Sequence, residues 1–191
     1  MDDRIPILAI CGSLRASSLN RALLTAAEAM APELRFVGDE LVAQLPLFNQ
    51  DIEEFSLQVQ QFREAAAGAR GVVIASPEYV FSASGVTKNA LDWLVGSAGL
   101  MSKPTLVMSA SPGHTGGLRG VAALIPTLDG VGAVLLDPLT VSRASARIRL
   151  NGEITDETLR QRLQIALDDF RRALDYSMGA VERGTAARSQ R

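Results

Sequence analysis

Residues 5–20 read IPILAICGSLRASSLN, and this stretch decides the fold. Ile5 to Ile10 is a short, nearly continuous apolar run without the polar alternation of a half-exposed strand. Such a run reads as a strand buried on both faces of a parallel sheet. It ends at Cys11-Gly12 and gives way to a polar loop, Gly12 to Asn20, which runs into a helical pattern. Leu23, Ala27 and Met30 share one face of that helix, and Pro32 closes it.

The same alternation continues along the chain. Gly71 to Ala75 ends at Ser76-Pro77, Thr105 to Ala110 at Ser111-Pro112, and Ala133 to Leu136 at Asp137-Pro138. A weaker strand is expected near Leu34 to Leu41. Between the strands lie helical stripes: Phe55, Val59, Phe62 and Ala66; Leu91, Leu94 and Val95; Leu118, Val121, Ala122, Ile125 and Leu128. The clearest is Leu159, Leu163, Ala166, Leu167, Phe170 and Leu174, with Thr155 expected as its N-cap. Strict β–α alternation predicts an α/β, flavodoxin-like doubly wound five-stranded parallel sheet of order 2-1-3-4-5. One domain is expected over residues 1–175, with 176–191 a flexible tail, because the last nine residues carry three arginines and no large apolar side chain.

Composition excludes several classes. Apolar residues make up 47% and charged residues 21% of the chain, a globular balance. A net charge of −2 and the absence of a basic stripe argue against nucleic acid as a partner. No apolar run approaches the ~18 residues of a membrane helix, and Met1-Asp2-Asp3 lacks the basic start of a signal peptide, so a cytoplasmic protein is expected. The single cysteine, Cys11, is read as a buried thiol. With one histidine and one cysteine, a metal site of those ligands is not expected, and His114 has no serine nucleophile motif to serve.

In an open α/β sheet, ligands bind beyond the carboxyl ends of the strands, where strand order reverses. Three unusual loops converge on that edge. The first supplies Ser13, Ser17 and Ser18 hydroxyls, the Asn20 amide, the Arg15 guanidinium and the free N–H groups of a helix start, which together suit an anion. It matches neither GxxxxGK[ST] nor GxGxxG. The alternative is a helix cap with a solvated arginine. The second loop, Pro77-Glu78-Tyr79-Val80-Phe81, brings aromatic rings that could border a planar ligand or a subunit interface. Trp93, on the helix after it, is read as core. The third, Ser111-Pro112-Gly113-His114, carries glycine where backbone can approach a flat ligand.

These residues resemble the flavodoxin-like NAD(P)H-dependent FMN reductase family, which includes bacterial quinone, azo and chromate reductases. The family pattern GSLRxxSxN matches Gly12 to Asn20. The pattern PEYNxSxPGxLKNAxDW matches Pro77, Glu78, Tyr79, Ser82, Gly85, Lys88, Asn89, Ala90, Asp92 and Trp93. Leu45 to Asp51 resembles the segment IPLYNxD. The resemblance implies FMN as cofactor and NADPH or NADH as electron donor. Small acceptors such as quinones, azo compounds or free flavin would be reduced by a ping-pong mechanism, in a homodimer or homotetramer. It implies that Ser13, Arg15, Ser18 and Asn20 hold the phosphate, with Ser17 and Leu19 in the same loop. Pro77, Glu78, Tyr79 and Val80 would lie along the isoalloxazine through backbone, and Ser111 and Gly113 would approach it. Arg119 resembles a family arginine near the subunit interface. No catalytic acid or base is assigned, since the hydride chemistry belongs to the cofactor.

The chain departs from the family at Val80, where Asn is usual, Ser84, where Pro is usual, and Thr87, where Leu is usual. Valine resists positive φ, so an extended backbone is expected at Val80, with a flavin site that is occupied but leaky. Ser84 is expected to loosen its loop. Two other functions remain open: a flavodoxin-type one-electron carrier, disfavoured by Arg15 and the low net charge, and a flavin-free interaction domain.

Overall fold

The computed structural model describes residues 2–97 and 99–188. The central sheet takes strands β1 (Ile5–Cys11), β2 (Leu34–Val37), β3 (Gly71–Ala75), β6 (Pro104–Ala110), β7 (Val134–Leu135) and β8 (Leu139–Val141). All pair in parallel in the order β2-β1-β3-β6, with β7 and β8 both pairing β6 on its far side. The fifth strand of the expected order is therefore interrupted. Pro104 lies opposite Val134, whereas Met108 lies opposite Leu139, so the outer strand carries one extra residue between the two pairings. Leu136-Asp137-Pro138 takes up that residue, and Pro138 has no N–H to offer the ladder.

Helices α1 (Leu19–Met30) and α6 (Glu157–Arg188) cover one face of the sheet, while α3 (Leu57–Gly68), α4 (Gly85–Leu94) and α5 (Leu118–Gly130) cover the other. Alternate strand residues feed the two layers. Ile7, Ala9, Cys11, Val73, Ala75, Leu106 and Met108 pack under α1 and α6; Leu8, Ile10, Val72, Ile74 and Val107 pack under the other three. Cys11 is fully buried. The α6 stripe Leu159, Leu163, Leu167, Phe170 and Leu174 is buried along its length.

Several expectations are corrected. The strand at Leu34 stops at Val37; Gly38 turns with φ 85° into a short helix α2 (Asp39–Val42). The Asp39 carboxylate there accepts the Cys11 N–H at 3.0 Å and pairs with Arg21. In α5 the buried stripe is Val121, Leu124 and Leu128, with Leu118 and Ile125 exposed. Asp156, not Thr155, caps α6: its carboxylate accepts the Leu159 N–H at 2.7 Å. The helix runs on to Arg188, into the segment expected as a tail, of which residues 189–191 lie outside the described residues.

Between β3 and α4 the sequence expectation was a single loop. The structure has a hairpin, β4 (Glu78–Tyr79) with β5 (Ser82–Ala83), pairing Glu78 with Ala83 and Tyr79 with Ser82. Its two-residue turn is Val80-Phe81, with φ of 50° and 59°. Positive φ at both central residues is what a type I′ turn demands, and it matches the twist of the flanking strands. The extended backbone expected at Val80 is thus overturned: hairpin closure outweighs the steric objection of a β-branched side chain.

Candidate functional site

The first loop joins the carboxyl end of β1 to α1. Ser18 is the α1 N-cap, its Oγ accepting the Arg21 N–H at 3.1 Å. The Ser18 carbonyl takes the Ala22 N–H. Among the described residues, the N–H groups of Leu19 and Asn20 have no protein acceptor, so the start of a 12-residue helix presents donors toward the loop. Ser13 and Ser18 are buried beneath the loop, while Arg15 is exposed and donates only a long 3.4 Å contact to Ser17 Oγ. Asn20 is committed elsewhere. Its amide donates to the Ala110 carbonyl at 3.0 Å and accepts the Ala110 N–H at 2.9 Å. It locks α1 to the end of β6, which fixes the spacing between the first and third loops.

The second loop is held from behind by a buried hydroxyl network. Ser84 Oγ donates to the Gly12 carbonyl at 2.7 Å and accepts the Thr87 N–H at 3.1 Å as N-cap of α4. Thr87 Oγ1 lies 3.0 Å from Ser84 Oγ and donates to Ser76 Oγ at 2.9 Å. Ser84 therefore ties the β1, β3 and α4 junctions together, correcting the expectation that it loosens them. A Cβ on Gly12 would collide with Thr87 Oγ1, so the first loop leaves β1 in direct contact with α4.

The side chain of Glu78 turns away from the ligand edge. Its Oε2 accepts the N–H groups of Arg119 at 2.9 Å and Gly120 at 3.2 Å, capping α5 across 41 residues of sequence. A Cβ on Gly120 would press on the Glu78 backbone, so this contact requires glycine. Arg119 places its guanidinium 4.5 Å from the centre of the Phe81 ring, a cation–π contact that pins the hairpin tip to α5. The Leu45 to Asp51 segment is pinned in turn by α4: Asn89 donates to the Pro46 carbonyl and accepts the Phe48 N–H, Trp93 Nε1 donates to the same carbonyl at 2.8 Å, and the Phe48 and Trp93 rings meet edge-on at 5.0 Å. Asn89 and Trp93 are structural.

The loops enclose a cavity of about 490 Å³ at the carboxyl edge of β1, β3 and β6. That volume lies within the range of small-molecule sites. Ser13, Arg15, Ser17, Ser18, Leu19, Asn20, Pro77, Glu78, Tyr79 and Ser111 line it, so ten of the sequence-predicted residues come together. Val80 and Gly113 do not. Val80 projects into solvent with 94% of its surface exposed, and the Gly113 N–H donates to Ser111 Oγ. His114 stands off the cavity, its Nδ1 receiving a 3.4 Å contact from Arg143. Ser145, Ile148, Arg149 and Leu150, from the segment after β8, complete the wall. Sequence reasoning missed them because that segment has no apolar period and no glycine-rich signature.

The NADPH-dependent FMN reductase family model matches residues 5–147. The chain belongs to that family. Its members are oxidoreductases that use FMN and NAD(P)H. The chain is 33% identical over 175 residues to an NAD(P)H-dependent FMN reductase of Pseudomonas aeruginosa, covering 86% of this chain and 92% of the relative. It is 32% identical over 177 residues to a 2-hydroxy-1,4-benzoquinone reductase of a Burkholderia species, covering 87% and 94%. Among solved structures, FerB of Paracoccus denitrificans, a flavoenzyme NAD(P)H:(acceptor) oxidoreductase, superposes with a TM-score of 0.81 at 27% identity, covering 90% of this chain and 97% of that one. A flavodoxin of Pseudomonas aeruginosa, with a TM-score of 0.53 at 11% identity, shares the fold. Among the described residues no helix is long and apolar enough to cross a membrane, and no three His, Cys, Asp or Glu side chains are grouped to hold a metal ion.

Proposed function

We propose that the cavity holds FMN, with the phosphate at the α1 start and the isoalloxazine between the second and third loops, and that the enzyme reduces quinone-like acceptors at the expense of NAD(P)H. The observation that carries this is the convergence of a donor-rich helix start, Arg15 and three serine hydroxyls on a single cavity at the strand-order reversal. The chemistry of the donor set fits a phosphate monoester: hydroxyls, free N–H groups and a guanidinium, with the one lining carboxylate, Glu78, occupied by α5. When bound, FMN supplies the hydride and electron transfer. The chain's part is to bind and orient. Ser13, Ser17, Ser18, the Leu19 and Asn20 N–H groups and Arg15 would fix the phosphate; Pro77, Glu78 and Tyr79 would present backbone along the ring, and Ser111 would close the other edge. Asn20 acts through Ala110 rather than by its own amide.

One open mouth would serve donor and acceptor in turn, which gives ping-pong turnover. Exposed Tyr79, Val80, Phe81 and Leu118 beside this mouth form an apolar margin suited to a homodimer contact. The test is an anaerobic titration of purified protein with NADPH and with NADH, followed by a quinone, azo and free-flavin acceptor panel, with light scattering for assembly. Bleaching of bound FMN by either nicotinamide and parallel-line kinetics with a quinone are expected. Failure to bind FMN in preference to riboflavin overturns the site, and reduction only through a separate reductase makes the protein a carrier.

A further inference from the structure

The wall formed by residues 145–150 lies outside the three loops read from the sequence, and Arg149 lies beyond the family-matched span, which ends at 147. We propose that the hairpin 147–155 is a fourth wall of the flavin site and that Arg149 is a second cation for the cofactor phosphate. This rests on the flavin reading above.

The hairpin is built to hold its tip still. Ile148 and Ile154 are buried and bridge to each other. The Arg149 N–H donates to the Glu153 carbonyl at 2.8 Å, the Gly152 N–H to the Arg149 carbonyl at 3.0 Å, and the Thr155 N–H to the Arg147 carbonyl at 2.9 Å. Gly152, at φ 88°, packs against Thr25 and Ala26 of α1. The hairpin therefore leans on the body of α1, and Arg149 lines the same cavity as Arg15, Ser17 and Ser18 of the loop that starts this helix.

Charge points the same way. Among the described residues the Arg149 side chain has no ion pair or hydrogen bond, and the nearby carboxylates of Asp156 and Glu157 face Arg147 and Arg160 instead. Its cavity neighbours include Arg15, Ser17 and Ser145, and no carboxylate other than the committed Glu78. A phosphate monoester carries about −1.5 to −2 at neutral pH. Arg15 with the roughly half charge of a helix start supplies about +1.5, which falls short of the full dianion; a second guanidinium more than covers the difference.

The test titrates apoprotein with FMN and with riboflavin, read by flavin fluorescence, for the wild type, Arg15→Ala, Arg149→Gln and Arg149→Lys, with thermal midpoints recorded alongside. Arg149→Gln is expected to weaken FMN by roughly tenfold, the effect of one charged hydrogen bond. Riboflavin affinity and the thermal midpoint should hold, Arg149→Lys should recover part of the loss, and the salt dependence of FMN binding should become shallower. Equal loss of FMN and riboflavin, or no loss of either, overturns the proposal. So does a raised KM for NADPH alone, which would assign the arginine to the donor. If Arg15→Ala loses FMN and Arg149→Gln does not, the flavin reading stands and this inference falls; a wild type without preference for FMN over riboflavin removes the reading itself.

Discussion

Asn20 and Ala110 exchange two hydrogen bonds, amide to carbonyl at 3.0 Å and N–H to amide oxygen at 2.9 Å, across 90 residues of sequence. On the β3 side the ladder ends at Met108, while Ala110 still pairs with Val141 of β8 on the other side, so an asparagine side chain takes the place of a strand on the open side. Asn20→Ala would leave a buried donor and a buried acceptor unpaired, at roughly 1–3 kcal/mol each. We expect the apoprotein to lose about 2–4 kcal/mol in denaturant unfolding, and FMN affinity to fall as the first and third loops separate. A phosphate ligand with no structural duty would behave otherwise: apoprotein stability unchanged, with only FMN binding reduced.

Glu78 provides the second case of a side chain that supports the site by facing away from it. Its carboxylate serves two N–H groups at the start of α5, where a negative charge also meets the helix dipole. Glu78→Ala should cost about 1–2 kcal/mol of stability, the scale of a lost N-cap. Glu78→Gln should recover part of it by keeping an acceptor without the charge. Urea unfolding of the three proteins decides the order; equal stability of all three would show that α5 finds its cap in solvent.

How much of this was legible in the sequence follows from the physics of each signal. The buried strands β1, β3 and β6 announce themselves because both faces are covered, and the α6 stripe because every turn repeats an apolar contact. The broken fifth strand was only half visible: Asp137-Pro138 marks the stop, but the resumption at Leu139 depends on a pairing with Met108 that local sequence does not encode. The β4–β5 hairpin was hidden because its turn is Val80-Phe81, the opposite of the Asn-Gly chemistry such turns advertise. At the site, residue identities were readable and side-chain directions were not. Asn20 and Glu78 have the chemistry of ligands, yet their partners, Ala110 and Arg119, lie 90 and 41 residues away.

Ser84 and Thr87 share one hydrogen-bond network with Ser76 and the Gly12 carbonyl. Their effects should not add. Ser84→Ala removes a helix cap and the partner of a buried carbonyl, about 1–2 kcal/mol; Thr87→Val removes one hydroxyl, about 1 kcal/mol. The double variant should be more stable than the sum implies, by at least ~0.5 kcal/mol. A strictly additive cycle would mean that the two hydroxyls act independently despite their 3.0 Å separation.

Val80 and Phe81 both occupy the left-handed region, and only one of them gains a contact there. Phe81 stacks under Arg119, so its conformation is tied to α5. Val80 is 94% exposed and off the cavity, so its β-branched side chain adds strain and no packing. A left-handed L-residue costs roughly 1–2 kcal/mol, and asparagine tolerates the region better. Val80→Asn is therefore expected to stabilise the protein by about 1 kcal/mol, a rise of ~2–4 °C in thermal midpoint for a domain of this size. FMN affinity should stay within about twofold, because the exchanged atoms do not face the cavity. Val80→Ala separates the causes: it relieves β-branching but lacks asparagine's tolerance of positive φ, and should fall between the two. If Val80→Asn tightens FMN tenfold while the thermal midpoint stays fixed, position 80 reaches the flavin through its side chain, and the hairpin geometry described above does not hold in the bound protein.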